Sequence, residues 1–124
     1  MHEEPTPLDR VASAIQAYVE FKSEIPFFIG WLPSQIHEFI SLSRGQSQGV
    51  LYGYGGLAYI YTSINIVCRS TSYEGVENLV TNVVDSLISQ PNMWISAFSP
   101  AQVKNAGDVE CIEITLTIDT LERA

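Results

Sequence analysis

Between Tyr59 and Ser89 the apolar positions change period once. From Tyr59 to Arg69 the chain alternates, so that Ile60, Thr62, Ile64, Ile66 and Cys68 share one face of a strand. From Val76 the spacing becomes helical: Val76, Leu79, Val80, Val83, Val84, Leu87 and Ile88 form a single stripe on a helix that runs to about Ser89. Thr71 and Glu74 have the spacing of a capping box at its start. A strand with one apolar face leading into a helix with one apolar stripe predicts a helix lying on a sheet.

The flanking segments complete that picture. Residues 1–6 read as a flexible tail, after which Thr6 and Pro7 supply an N-cap and a first helical position. The helix they open is expected to reach roughly Ser23, with Leu8, Val11, Ala12, Ile15, Tyr18 and Val19 as its apolar stripe. Ile25 to Leu32 is a short apolar run, a strand or an irregular plug, interrupted by Gly30 and ended by Pro33. Ile36 to Ser43 alternates like a strand, with Ile36, Glu38, Ile40 and Leu42 on one face. Arg44 to Leu57 is polar, aromatic and glycine-rich, which predicts either a long loop or a long hairpin arm. Gln90-Pro91-Asn92 stops the second helix, Met93 to Phe98 reads as a strand, and Ser99 to Asp108 as a loop. Val109 to Asp119 has Ile112, Ile114, Leu116 and Ile118 on one face and Cys111, Glu113, Thr115, Thr117 and Asp119 on the other. The expected fold is α+β: one domain over residues 1–124, with two helices on one face of a mixed, mostly antiparallel sheet.

Composition narrows the function classes. The 124 residues are 46% hydrophobic but only 16% charged, well below the ~25% of an average soluble domain. No apolar run approaches the ~18 residues of a membrane span, so the surplus apolar surface is expected to lie between subunits. The net charge is −8, and the six basic residues, Arg10, Lys22, Arg44, Arg69, Lys104 and Arg123, are scattered singly. No basic stripe of the kind that grips a phosphate backbone exists, so sequence-specific nucleic-acid binding is not expected. Cys68 and Cys111 fit no zinc spacing and read as buried free thiols. The acidic, polar N-terminus has no signal-peptide character, which makes an intracellular origin the expectation.

Catalytic readings find little support. His2 lies in the tail, leaving His37 as the one histidine available to a triad, and no nucleophile elbow accompanies it. Gly53-Tyr54-Gly55-Gly56 lacks the lysine and the following helix of a phosphate-binding loop. Glu110 and Glu113 point to opposite faces of one strand, and Glu74 and Glu77 suit the N-terminus of a helix. No enzyme activity, metal or cofactor is therefore expected. More telling is the polar face of the second helix, where Asn78, Thr81, Asn82 and Ser86 occur without a single lysine or arginine. The second face of the central strand carries Tyr59, Tyr61 and Ser63. Small uncharged polars with tyrosines suit a protein–protein surface, so these seven residues are the expected subunit interface.

The order of elements resembles the tail terminator, or tail-completion, proteins of tailed bacteriophages, a group also described as minor capsid proteins. The resemblance rests on Ile64-Asn-Ile-Val-Cys-Arg69, on Ser72-Tyr-Glu-Gly-Val76 through Leu87, on Ile95-Ser-Ala-Phe-Ser-Pro100, and on Asp108 to Asp119. It implies a structural virion protein that forms a ring, commonly hexameric, on the end of the tail tube. Such a ring halts tube polymerisation, offers its other side to the head-completion (connector) protein, and lets DNA pass through its lumen without sequence-specific binding. Localisation in the tail or neck of a virion follows from the same resemblance. Within it, Arg44, Gln46, Gln48, Tyr52 and Tyr54 are expected to meet the tube or the lumen. The alternative from another class is a small ligand-binding or enzymatic α+β domain with a pocket under residues 44–57.

Overall fold

The alternating stretch at the centre of the sequence forms strand β3, Ala58–Ser70, the middle of a mixed sheet. The computed structural model describes residues 6–17, 25–52 and 58–123, and for residues 46–48, 51, 52 and 123 the backbone alone. In chain order the elements are α1 (Pro7–Gln16), β1 (Phe27–Ile29), β2 (Phe39–Tyr52), β3, α2 (Tyr73–Leu87), β4 (Met93–Phe98), β5 (Gln102–Ala106) and β6 (Val109–Arg123). The sheet runs β1-β2-β3-β6-β4, and β5 pairs with β6 beside β4. Among the described strands β1 and β2 pair in parallel and every other pair is antiparallel. The expected α+β architecture is the observed one.

Both helices lie on one face. Ile40 and Leu42 of β2, Ile64, Ile66 and Cys68 of β3, and Leu116 and Ile118 of β6 are fully buried there. Val11, Ala12 and Ile15 of α1 and Val76, Leu79, Val83 and Leu87 of α2 close over them, giving one continuous core. The register explains the match: Leu42, Ile66 and Leu116 sit opposite one another across three strands, as do Ile40, Cys68 and Ile114. Burial of Cys68 pushes its thiol up to about 12. Thr6 caps α1: its Oγ1 accepts from the Asp9 amide, and its own amide donates back to Asp9 Oδ2.

The opposite face is closed by a different device at one end. Arg69 points away from the helices and is only 5% exposed. Its Nη2 donates to Glu113 Oε2 at 2.9 Å, and its Nη1 faces the carbonyl oxygens of Pro33, Ser34 and Ile36 at 3.0–3.3 Å. The guanidinium also sits 4.6 Å from the centre of the Phe39 ring. Phe28 packs edge-on against both Phe39 and Trp31. The segment from Gly30 to Glu38, which connects the parallel strands β1 and β2, is thus fastened across the sheet's second face.

Several local expectations change in the structure. The α2 cap is Ser72, one residue after Thr71; its Oγ accepts from the Gly75 amide, and the helix ends at Leu87 with Ile88 as C-cap. Helix α1 ends at Gln16 with Ala17 as C-cap, and the proposed continuation through Tyr18, Val19 and Ser23 lies outside the described residues. Ile36 to Glu38 does not join β2, because the Ile36 carbonyl turns to Arg69 and Glu38 Oε2 accepts from Ser70 Oγ at 3.1 Å. The expected loop at 99–108 contains β5, folded onto β6 through Gly107, whose φ of 64° suits the first central position of a tight hairpin. The stretch at 44–57 takes the hairpin-arm form up to Tyr52, and β3 returns from Ala58.

Three measurements test this account. Breaking a buried ion pair costs about 3–5 kcal/mol, so Arg69→Met should strongly lower the denaturant midpoint, while Arg69→Met with Glu113→Leu should recover only the part due to the unpaired Glu113 carboxylate. Gly75→Ala would raise stability by ~1 kcal/mol in an open helix. Here a Cβ would strike Ser70 Oγ, which is tied to Glu38, so the substitution should destabilise by about 1 kcal/mol or more. Finally, Cys68 should resist alkylation at pH 8 in native protein and react fully in denaturant.

Candidate assembly surfaces

The second face of the sheet carries the first group of expected interface residues. Tyr59, Tyr61 and Ser63 alternate away from the helices with Asn65 and Val67. β3 is bordered on both sides, by β2 and by β6, so this face is a ladder of cross-strand pairs. Ser63 Oγ donates to Asp119 Oδ1 at 2.7 Å, and Thr117 Oγ1 donates to Asn65 Oδ1 at 3.2 Å. Ser63 is therefore buried, a correction to its expected exposure. The register of β2 against β3 shifts between Arg44 and Gln48, so that residues 45–47 oppose Ser63. Next along the strand, the Tyr61 ring lies flat over Gly49, where an added Cβ would come within 2.6 Å of the ring. Tyr59 and Tyr61 are half-buried.

The outer surface of α2 carries the second group. Asn78 and Thr81 are exposed and Asn82 is half-buried. Ser86 is not on this surface: it is 4% exposed, and its hydroxyl donates to the Val83 carbonyl at 2.6 Å. The exposed acids Glu74, Glu77 and Asp85 share the surface with Asn78 and Thr81. Because α2 covers the helix side of the sheet, its outer surface and the Tyr59–Tyr61 face lie on opposite sides of the molecule. Of the seven expected interface residues, Ser63 and Ser86 are buried, and the other five lie on two separate surfaces.

The third group lies on β2. Arg44 points to the helix side, where with Thr6, Pro7, Leu8, Ile60, Thr62, Ile64 and Glu122 it lines a cavity of about 370 Å³. Glu122 is paired there with Arg10. Gln46, Gln48 and Tyr52 belong to β2, although their side chains lie outside the description, and Tyr54 lies outside the described residues. A larger hollow of about 460 Å³ lies between α1 and the α2–β4 turn, lined by Arg10, Ser13, Ala14 and Gln90 to Met93.

Chemically reactive constellations are sparse. Among the described residues no three His, Cys, Asp or Glu side chains gather as metal ligands. His37 is exposed on the segment that Arg69 fastens, and Cys68 is sealed under the helices. Among the described residues no helix is long and apolar enough to cross a membrane. What the sequence reading missed is exposed apolar surface at the two ends of the sheet. Ile29 ends β1 and Trp31 and Leu32 follow it, while Ile88, Trp94, Phe98 and Val103 lie along β4, β5 and the end of α2. The available signal was that the sequences of β1 and β4 contain no charged residue.

Comparison with known proteins bears on the fold. No family model matches the chain, and no curated protein matches its sequence. Among solved structures, one described as the "Virion of native gene transfer agent (GTA) particle" contains a chain with a similar fold, at 11% sequence identity and a TM-score of 0.54. The match covers 90% of this chain and 93% of that one, so the likeness is between whole folds.

Proposed function

We propose that this chain is a structural component of a phage-like virion: a tail terminator that forms a ring on the end of the tail tube. In this reading the ring stops tube polymerisation and presents its other side to a head-completion protein, and DNA passes through the lumen. The observation that carries it is the end-to-end likeness to a chain of the gene transfer agent virion. The absence of clustered metal ligands among the described residues and the exposed apolar residues at both ends of the sheet fit a role in assembly more than in catalysis. The net charge of −8 suits a lumen that repels phosphates.

A cavity directly beneath Arg44 favours a second reading, in which the chain binds a small ligand between α1 and the arm of β2 and β3. The two differ in their partner. Added to polymerising tail-tube protein, the chain should cap tubes and halt their growth under the first reading, with a ring visible on tube ends by electron microscopy. A monomer that leaves tube growth untouched would overturn the terminator role. The outer surface of α2 is expected to contribute to that assembly. Asn78→Arg with Thr81→Arg, both on exposed positions, should keep the circular dichroism spectrum and lower capping activity about tenfold. Unchanged capping would remove α2 from the interface.

A further inference from the structure

Apart from Val50 and Tyr73, the exposed large apolar residues lie near the two margins of the sheet. Three of them, Ile29, Trp31 (59% exposed) and Leu32, project where β1 ends, at one margin of the sheet. At the other margin, four strand spacings or about 19 Å away, a notch of about 150 Å³ lies between the end of α2 and β4. Leu87, Ile88, Met93, Trp94 and Ile95 line it, all of them apolar, and Ile88 is 77% exposed. β4 pairs only with β6 among the described strands, so its outer edge faces outward beside the notch. Proteins that stay monomeric protect such edges with lysine, proline or inward-turned charge. Met93 to Phe98 has no lysine, proline or charge, and a single β-bulge at Ser96 is the protection that this edge carries.

We infer that the β4 margin of one copy receives the Ile29-Trp31-Leu32 projection of the next copy, in a head-to-tail contact that repeats around a ring. The inference rests on the ring reading above and names the surfaces that build it. A second copy is the occupant because the chain itself supplies both halves, an apolar projection and an apolar notch, on opposite margins of one sheet. Different patches on opposite sides are what a heterologous contact requires; a two-fold contact would bury one of them and leave the other exposed. Charge points the same way. With a net charge of −8, copies of this chain repel wherever acids are exposed, and β1 and β4 are free of acids. The Trp31 ring is already held in place against Phe28, with ring centres 4.9 Å apart, so little side-chain freedom is lost when it docks.

Two surface cysteines test the contact, since the native thiols Cys68 and Cys111 are buried. Ile29→Cys and Ala97→Cys proteins are prepared separately, mixed with tail-tube protein, and treated with a short bis-maleimide. The expected result is a cross-linked dimer when the two variants are mixed and none with either alone. A chain carrying both substitutions should give a ladder beyond the dimer. Adding Leu32→Glu should reduce cross-linking about tenfold while the circular dichroism spectrum stays native. Cross-linking of Ala97→Cys to itself would mean two-fold pairing through β4 and would overturn the inference. So would rings on tube ends without any cross-link, although the terminator reading would then survive. Ladders from a protein that fails to stop tube growth would leave the contact standing and remove the terminator role. Monomer alone, with neither ring nor cross-link, would end both.

Discussion

A single guanidinium sets the terms for the second face of this sheet. One side of β3 is closed by hydrocarbon against two helices, the ordinary solution for an α+β domain. Among the described residues no helix covers the other side. At its Arg69 end, the polypeptide between β1 and β2 is drawn across the strands, and its carbonyls at Pro33, Ser34 and Ile36 converge on one side chain. Backbone carbonyls away from water need donors, and a buried arginine needs acceptors and a counter-charge. Glu113, directly opposite on β6, supplies the charge. The Phe39 ring fills the remaining side of the cation. Removing Arg69 would leave the Glu113 carboxylate and three carbonyls without this donor, so one side chain ties the segment between β1 and β2 to β3 and β6. Its Nε is buried without a hydrogen-bond partner.

The helix side of the domain was the legible part. Period two in β3 and β6 and period 3.6 in α2 are local signals, and each was carried by residues that the structure buries, such as Ile64, Ile66, Leu116, Val76 and Val83. Misreadings arose where a distant residue decides the local conformation. Ile36 and Glu38 alternate with Ile40 and Leu42 like a strand, yet their partners are Arg69 and Ser70, more than thirty positions on. β5 has no pattern of its own: Gln102 to Asn105 are all exposed, and the strand exists because the turn at Gly107 folds it against β6. Ser86 sits between the two faces of α2 by sequence, and only the packing of the helix decides that it turns inward.

The surfaces were legible as composition but not as geometry. A low charge fraction drew attention to uncharged polar and aromatic residues. It had no means of showing that Asn78 and Tyr61 lie on opposite sides of the domain, or that the apolar residues of β1 and β4 are exposed at opposite margins of the sheet. Which strands lie at an edge is a property of the strand order, and that order joins β6, the last strand, to β3 and places β4 outside it. Trp94, opposite Asp119 on the face away from the helices, is exposed, whereas Ile95 beside it on the same edge strand packs against the core.

The glycine-rich stretch changes meaning once the strand order is known. A two-stranded arm reaching past the helices would be marginal in water. Here β6 continues to Arg123 and pairs with β3 as far as Tyr59, so the region from Gln48 to Tyr52 is one side of a three-stranded ribbon. Tyr61 covers Gly49 on one face. On the other, α1 begins above it, with Thr6, Pro7 and Leu8 around the cavity beneath Arg44 and with Arg10 paired to Glu122. Glycine thus serves close packing here: at Gly45 and Gly49 a side chain would collide with Ser63 or Tyr61. A partner that meets residues 44–52 meets a braced ribbon whose shape exists before binding, which lowers the ordering cost of the contact relative to a loop of the same composition.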